Sequence, residues 1–133
     1  MSSDVPRFHD GLVTGIIVAG KSAALFLRQT NGEEYALDLE GLEVLHMEDF
    51  RQANIISNVE VVTLRLPDND VAFDRLFGAP HPTAEPIYHE QYAAVVELQQ
   101  NRIKSGETKL LVVVPSWGAD LLAICREVTC RRA

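Results

Sequence analysis

Residues 23–40 read AALFLRQTNGEEYALDLE, and this stretch decides the fold class. After Asn31-Gly32, apolar side chains alternate with polar or small ones, which is the pattern of a strand with one buried face. Before it, Leu25 and Leu27 lie on one face of a strand and Phe26 lies on the other. Asn-Gly between two such runs is the strongest short-range signal for a tight hairpin. The stretch therefore predicts two antiparallel strands joined at Asn31-Gly32.

Further strands are predicted on both sides of this hairpin. Residues 8–18 are rich in β-branched side chains, and residues 42–46 continue the period of two. With the hairpin they predict an N-terminal meander of four antiparallel strands. The run 54–66 predicts one more strand, with a bulge near Ser57-Asn58 because the apolar residues change parity there.

The second half of the chain predicts two helices and a second hairpin. Residues 69–77 form a short helical pattern, and residues 86–105 a long one that begins at a proline and is followed by a glycine. The apolar runs 109–114 and 121–129 are separated by a turn and predict a C-terminal hairpin. We therefore expect one α+β domain over residues 1–133, with about seven mostly antiparallel strands.

Composition excludes several classes of protein. The chain has 133 residues, 47% of them hydrophobic and 23% charged, which is enough for a core and unlike a disordered chain. No stretch approaches the roughly 20 apolar residues of a membrane span. The net charge is -7, and the basic residues cluster only at Arg131-Arg132. We therefore expect neither a nucleic-acid nor a membrane partner.

The N-terminal residues and the cysteines bear on the compartment. The first residues lack the basic and then apolar segments of a signal peptide. On one strand, the offset between Cys125 and Cys130 would put them on opposite faces and about 16 Å apart, too far for a disulfide. Free cysteines are typical of a reducing compartment. We therefore expect a cytoplasmic protein.

Common catalytic and cofactor-binding signatures are missing from the sequence, including phosphate-binding loops, nucleophile elbows and Cys-x-x-Cys pairs. His9-Asp10 resembles a metal-ligating dipeptide, but such a site needs several more His and Asp ligands. We therefore expect no metal and no cofactor. The polar candidates for a ligand pocket between the sheet and the long helix are His9, Asp10, His46, Tyr88 and Tyr92.

Other residues are candidates for protein contact. Trp117 lies beside proline, serine and glycine, where it is either folded onto the core or exposed as a hot-spot residue. An acidic stretch along the meander is either a solvated sheet face or a surface for a basic partner; it consists of Asp38, Glu40, Glu43, Glu48 and Asp49. The candidates for partner binding are Trp117, His81, Glu43, Glu48 and Asp49.

The N-terminal half also carries a series of short motifs. Around the Asn-Gly hairpin the chain contains Phe8-His9-Asp10-Gly11, Leu39-Glu40-Gly41-Leu42, Asp49-Phe50-Arg51 and Asn54-Ile55-Ile56. In this order, residues 8–62 resemble small uncharacterised bacterial proteins, some of them described as immunity proteins of polymorphic toxin systems. The resemblance implies a bacterial origin and an immunity role, and it brings no catalytic residues with it.

Two functions remain open from the sequence. The first is a non-enzymatic, bacterial cytoplasmic protein that binds another macromolecule or its own copy as a homodimer. The alternative is a small-molecule-binding protein or small enzyme with a pocket between the sheet and the helix.

Overall fold

The structure is a computed structural model, and it describes residues 5–64 and 68–133. In these ranges an antiparallel sheet packs with two helices, α1 (Asp68–Phe77) and α2 (Pro86–Lys104). The strands are β1 (Leu12–Ala19), β2 (Ser22–Arg28), β3 (Glu34–Glu40), β4 (Val44–Glu48), β5 (Asn54–Val62), β6 (Lys109–Trp117), β7 (Asp120–Cys125) and β8 (Glu127–Arg132). The α+β class and both helices are confirmed. Eight strands form rather than about seven, because the last predicted strand breaks at Arg126.

The sheet closes on itself into a barrel. The strand order is β4-β7-β6-β5-β1-β2-β3-β8. The two end strands, β4 and β8, follow β3 and β7 directly in the chain. Across the bends, the N–H of Arg126 donates to the carbonyl of Glu40 and the N–H of Glu43 donates to that of Ile124, each at 2.9 Å. The segment β3–β4 therefore pairs with the segment β7–β8 along its whole length, as two long, bent strands, and this pairing closes the barrel.

The bend between β3 and β4 depends on a glycine. Gly41 has a φ of 64°, a conformation that side chains disfavour. A Cβ atom there would lie 2.7 Å from the Cγ atom of Arg126. Strands β1 to β3 form the expected meander around Asn31-Gly32, whereas β4 turns away at Gly41 and pairs with β7.

Two apolar clusters stabilise this arrangement. The inner cluster fills the barrel with buried side chains from every strand except β4, which contributes half-buried ones; among the buried are Leu25, Leu37, Ile56, Val113 and Leu121. The outer cluster lies between the helices and the outer face of β5, β6 and β7; its buried members include Phe73, Ile103, Leu110 and Ile124. Strand β6 is thus covered on both faces, as its continuous apolar run predicts.

Helix α2 contributes unevenly to this packing. Its buried residues, Gln100 and Ile103, lie near its C-terminal end. Tyr92 and Val96 are half-buried, whereas Tyr88 and Val95 are exposed. Within the described residues, neither helix has the length and apolar character needed to cross a membrane.

Candidate functional site

An exposed aromatic surface lies at one end of the barrel. Trp117 ends β6 and is 55% exposed, and Phe50, just after β4, is 49% exposed. The guanidinium carbon of Arg51 lies 4.7 Å from the centroid of the Trp117 ring. We call Asp49, Phe50, Arg51 and Trp117 the Trp117 surface. An aromatic ring with a stacked cation presents both a large apolar area and a polar tip.

Buried Asn54 fixes this surface from below. Its Oδ1 atom accepts hydrogen bonds from the backbone N–H groups of Arg51, at 2.7 Å, and Ala119, at 3.0 Å. Its Nδ2 atom donates to the carbonyl of Arg51 at 2.7 Å. One side chain therefore ties the loop before β5 to the turn between β6 and β7. Such a satisfied buried network holds both segments in one arrangement.

Gly118 makes room for this amide. It has a φ of 88°. A Cβ atom at position 118 would lie 2.5 Å from the Oδ1 atom of Asn54. The chain therefore turns directly after Trp117 and leaves the indole facing outward. Sequence reasoning leaves Trp117 open between core and surface, and the structure places it on the surface.

A charged network lies beside this end of the barrel and joins β4 to α1 and β7. The Oε1 atom of Glu48 lies 2.6 Å from His46 Nε2 and 3.2 Å from Arg75 Nη2. Arg75 also pairs with Asp120 at 3.1 Å. The hydrogen bonds from His46 and then Arg75 lower the pKa of Glu48. These interactions attach α1 to the barrel.

His9 and Asp10 lie together at the start of β1. The Nδ1 atom of His9 is 3.0 Å from the carbonyl oxygen of Ser57, and its Nε2 atom is 3.6 Å from Asp10 Oδ2. Both side chains are about two-thirds exposed. Asp10 borders an open groove of about 500 Å³ that Leu12 and other residues line. Throughout the described part of the chain, no three His, Cys, Asp or Glu side chains are placed to hold a metal ion.

The structure does not gather the five predicted ligand-binding residues into one pocket. His46 contacts Glu48, and the Tyr92 hydroxyl donates to Asp74 at 2.8 Å. Tyr88 is 55% exposed on α2. One groove beside a helix lies between α1 and the outer face of β5 and β6. Its volume is about 270 Å³, and its lining includes none of the five; among its residues are Val62, Val71, Val112 and Val114.

Comparisons of the chain with protein-family models, curated proteins and solved structures found no match. The resemblance of residues 8–62 to immunity proteins therefore stays a prediction.

The predicted partner-binding residues are separated by the fold. Trp117, Glu48 and Asp49 lie at or beside the Trp117 surface. His81 lies in the loop between the helices, where its Nδ1 atom is 2.7 Å from the Oγ1 atom of Thr83. Glu43 binds both terminal nitrogens of Arg102 on α2, at 2.6 and 2.5 Å.

Part of the acidic stretch is therefore neutralised within the chain. Glu43 and Glu48 both have cationic partners within the chain, whereas Asp49 is exposed beside Phe50. Sequence reasoning assigned no role to Phe50 or Arg51. In the sequence they stand out only as part of the Asp49-Phe50-Arg51 motif, between two predicted strands, where a loop must lie.

Proposed function

We propose that this chain is a non-enzymatic, bacterial cytoplasmic binding protein whose Trp117 surface contacts a protein partner. The observation that carries the proposal is an exposed tryptophan, stacked with Arg51 and held outward by buried Asn54. An exposed tryptophan that is held in a fixed position is typical of a residue that binds a partner.

Energetic reasoning supports this use of the surface. A tryptophan buries roughly 150–250 Å² when it enters a pocket, and it is enriched among hot-spot residues. Because Asn54 fixes both segments beforehand, little conformational entropy is lost when a partner docks. Phe50, the neighbour of Arg51 in the chain, adds a second exposed aromatic ring.

The charges around the surface indicate the chemistry of the partner. The chain carries a net charge of -7, and Asp49 lies exposed at the edge of the surface. Long-range attraction therefore favours a partner with a basic face. We propose a protein that offers an apolar pocket for the indole, bordered by lysine or arginine residues.

The test is affinity capture with a matched pair of variants. Trp117→Ala removes the proposed anchor, whereas Tyr88→Ala removes an aromatic ring of equal exposure, 55%, from α2. We expect one stoichiometric partner with the wild type and Tyr88→Ala, and at least about tenfold weaker binding with Trp117→Ala. Binding that Trp117→Ala leaves unchanged would contradict the proposal. Equal losses of binding and thermal stability would assign Trp117 to the core.

The chain offers a second measurement on the purified complex. Trp117 is the only tryptophan. Its fluorescence therefore reports on this surface alone. We expect a blue shift of the emission when the captured partner is titrated in, because the indole leaves water. An unchanged spectrum on saturation would place the partner elsewhere.

A second candidate function is the binding of a small apolar molecule in the groove beside α1. Its valine-rich lining favours such a ligand, although its volume of about 270 Å³ is below the usual range of ligand pockets, roughly 300–1,000 Å³. A thermal-shift screen of small apolar compounds tests this candidate. Stabilisation of the wild type that disappears in Val114→Trp, which fills the groove, would support it. A flat response would exclude it.

A further inference from the structure

Strand β1 has a free edge along most of its length. It pairs with β2 from Leu12 to Ala19, but it pairs with β5 only through Leu12 and Val13. Among residues 5–64 and 68–133, no strand lies beside Thr14–Ala19 on that side. Alternate residues of an unpaired edge point their N–H and C=O groups outward, where another strand can pair with them.

The residues of this edge favour pairing with another strand. Natural proteins protect free edges with lysine, proline or other charged residues. Residues 12–20 read LVTGIIVAG and contain none of these. Instead, Ile17 is 61% exposed and Val18 is 53% exposed. Branched aliphatic residues of this kind favour a strand that packs against a neighbour.

We propose that Thr14–Ala19 pairs antiparallel with the same edge of a second copy of the chain. An antiparallel pair about a two-fold axis matches a strand with itself, and two-fold dimers are the commonest soluble oligomers. A register centred on Ile17 places Ile17 opposite its copy and Ile16 opposite Val18. The two barrels then share one continuous sheet.

The lack of charge on this edge allows a second copy to occupy it. Each copy carries a net charge of -7, so two copies repel each other over most approaches. The β1 edge is uncharged, and pairing there brings no like charges directly opposite one another. This pairing does not depend on the proposed function.

Disulfide trapping tests the register directly. Ile17→Cys is made in a Cys130→Ser background, since the remaining Cys125 is buried. Facing residues of an antiparallel pair have Cα atoms about 4.5–5.5 Å apart, within reach of a disulfide. The control is Ala24→Cys, because Ala24 pairs with Ile17 on β2, one strand farther from the axis. Strand spacing puts its two copies about 14 Å apart.

We expect mild oxidation to give covalent dimers of Ile17→Cys at least tenfold faster than of Ala24→Cys. Equal rates for the two variants would overturn the proposal.

The mass in solution provides the second test. We expect the wild type to form, with rising concentration, a dimer of twice 14.8 kDa in sedimentation or light scattering. Ile17→Lys should shift it to monomer because it places two like charges opposite each other. The control Leu98→Lys makes the same change at a 57% exposed position on α2 and should leave the dimer intact.

Three outcomes would overturn the proposal. The first is a wild type that stays monomeric at every concentration tested. The second is a dimer that Leu98→Lys dissociates and Ile17→Lys does not. The third is a monomer that pairs this edge only with an extended peptide of another protein.

Discussion

The side-chain oxygen of Asn54 accepts a hydrogen bond from the backbone N–H of Ala119 at 3.0 Å, across 65 positions of sequence. The same oxygen accepts from the N–H of Arg51. The position of the exposed Trp117 ring therefore depends on a buried residue, Asn54. The stability of the barrel end and the geometry of the Trp117 surface should change together when this amide is altered.

Replacement of Asn54 by alanine tests this dependence. It leaves the N–H groups of Arg51 and Ala119 without their acceptor, and an unsatisfied buried donor costs roughly 1–3 kcal/mol. We expect the free energy of unfolding in urea to fall by about 2–3 kcal/mol, with a change in Trp117 emission. The control Asn58→Ala removes an exposed amide from the same strand and should cost less than about 0.5 kcal/mol. Equal effects of the two variants would contradict the anchoring role.

Two glycines near the start of β1 should respond oppositely to alanine. A Cβ atom at Gly11 would lie 2.5 Å from the carbonyl oxygen of Arg28 and 2.9 Å from that of Phe8. At Gly15 a Cβ atom meets nothing within 4 Å. Because backbone must move, we expect Gly11→Ala to cost about 1–3 kcal/mol in urea unfolding. We expect Gly15→Ala to be neutral or to stabilise by about 0.5 kcal/mol. Similar values for both would refute the close approach at Gly11.

Local signals predicted the local parts of the fold. The Asn31-Gly32 turn specifies its own hairpin because both strands lie within a few residues of it. The expected bulge near Ser57-Asn58 is present, as a shift of register between Ile56 and Asn58. Parity revealed it because a bulge reverses which side chains face the core.

Closure of the barrel cannot be predicted from such local sequence patterns. It depends on bends at Gly41 and Arg126, which meet only after the chain has folded. The bend at Arg126 also changes the faces of the strand. Cys125 and Cys130 were expected on opposite faces, yet both pack with the inner cluster. Both are nevertheless free, as expected.

The candidate site was only partly predictable. The residue types beside Trp117 raised the possibility of exposure, but Asn54, which decides it, lies far away in sequence. Phe50 and Arg51 follow no periodic pattern, so no rule of spacing singles them out. Arg51 contacts Trp117 because β4 pairs with β7 and brings this loop to the same end of the barrel.

The pair of Glu43 and Arg102 should make stability depend on pH. The hydrogen bonds from Arg102 lower the pKa of Glu43 below its ordinary value of 4.5. A carboxylate with a lowered pKa stabilises the fold fully above that value, and this contribution is lost as pH falls below it. We expect Glu43→Gln to cost about 1 kcal/mol at pH 7, discounted for partial exposure, and the difference from wild type to shrink below pH 4.5.

Denaturation across this pH range, with a matched variant, measures the effect. Glu34 makes one hydrogen bond of 3.2 Å to Arg28, and about half of each side chain is exposed. We expect Glu34→Gln to cost only about 0.3 kcal/mol at neutral pH. A Glu43→Gln variant as stable as the wild type at neutral pH would refute the contribution of the pair.

The hydroxyl of Tyr92 should stabilise the contact between the helices. It donates to the carboxylate of Asp74 at 2.8 Å and so joins α2 to α1. A hydrogen bond to a charged group contributes roughly 1.5–3 kcal/mol. We expect Tyr92→Phe to lower the free energy of unfolding by about 1.5 kcal/mol. Tyr88→Phe, at an exposed position on the same helix, should stay within about 0.5 kcal/mol of wild type.

Titration of the tyrosines distinguishes the hydrogen bond to Asp74 from packing of the Tyr92 ring, because packing alone does not depend on the Asp74 charge. Burial, and then the hydrogen bond to Asp74, raise the pKa of Tyr92 above its ordinary value of 10.0. Its contribution to stability is therefore fully present below pH 10.0 and is lost as pH rises through the higher folded pKa. By ultraviolet absorbance, Tyr92→Phe should remove a late-ionising group. Loss of an early-ionising group instead would show that Asp74 does not hold the Tyr92 proton.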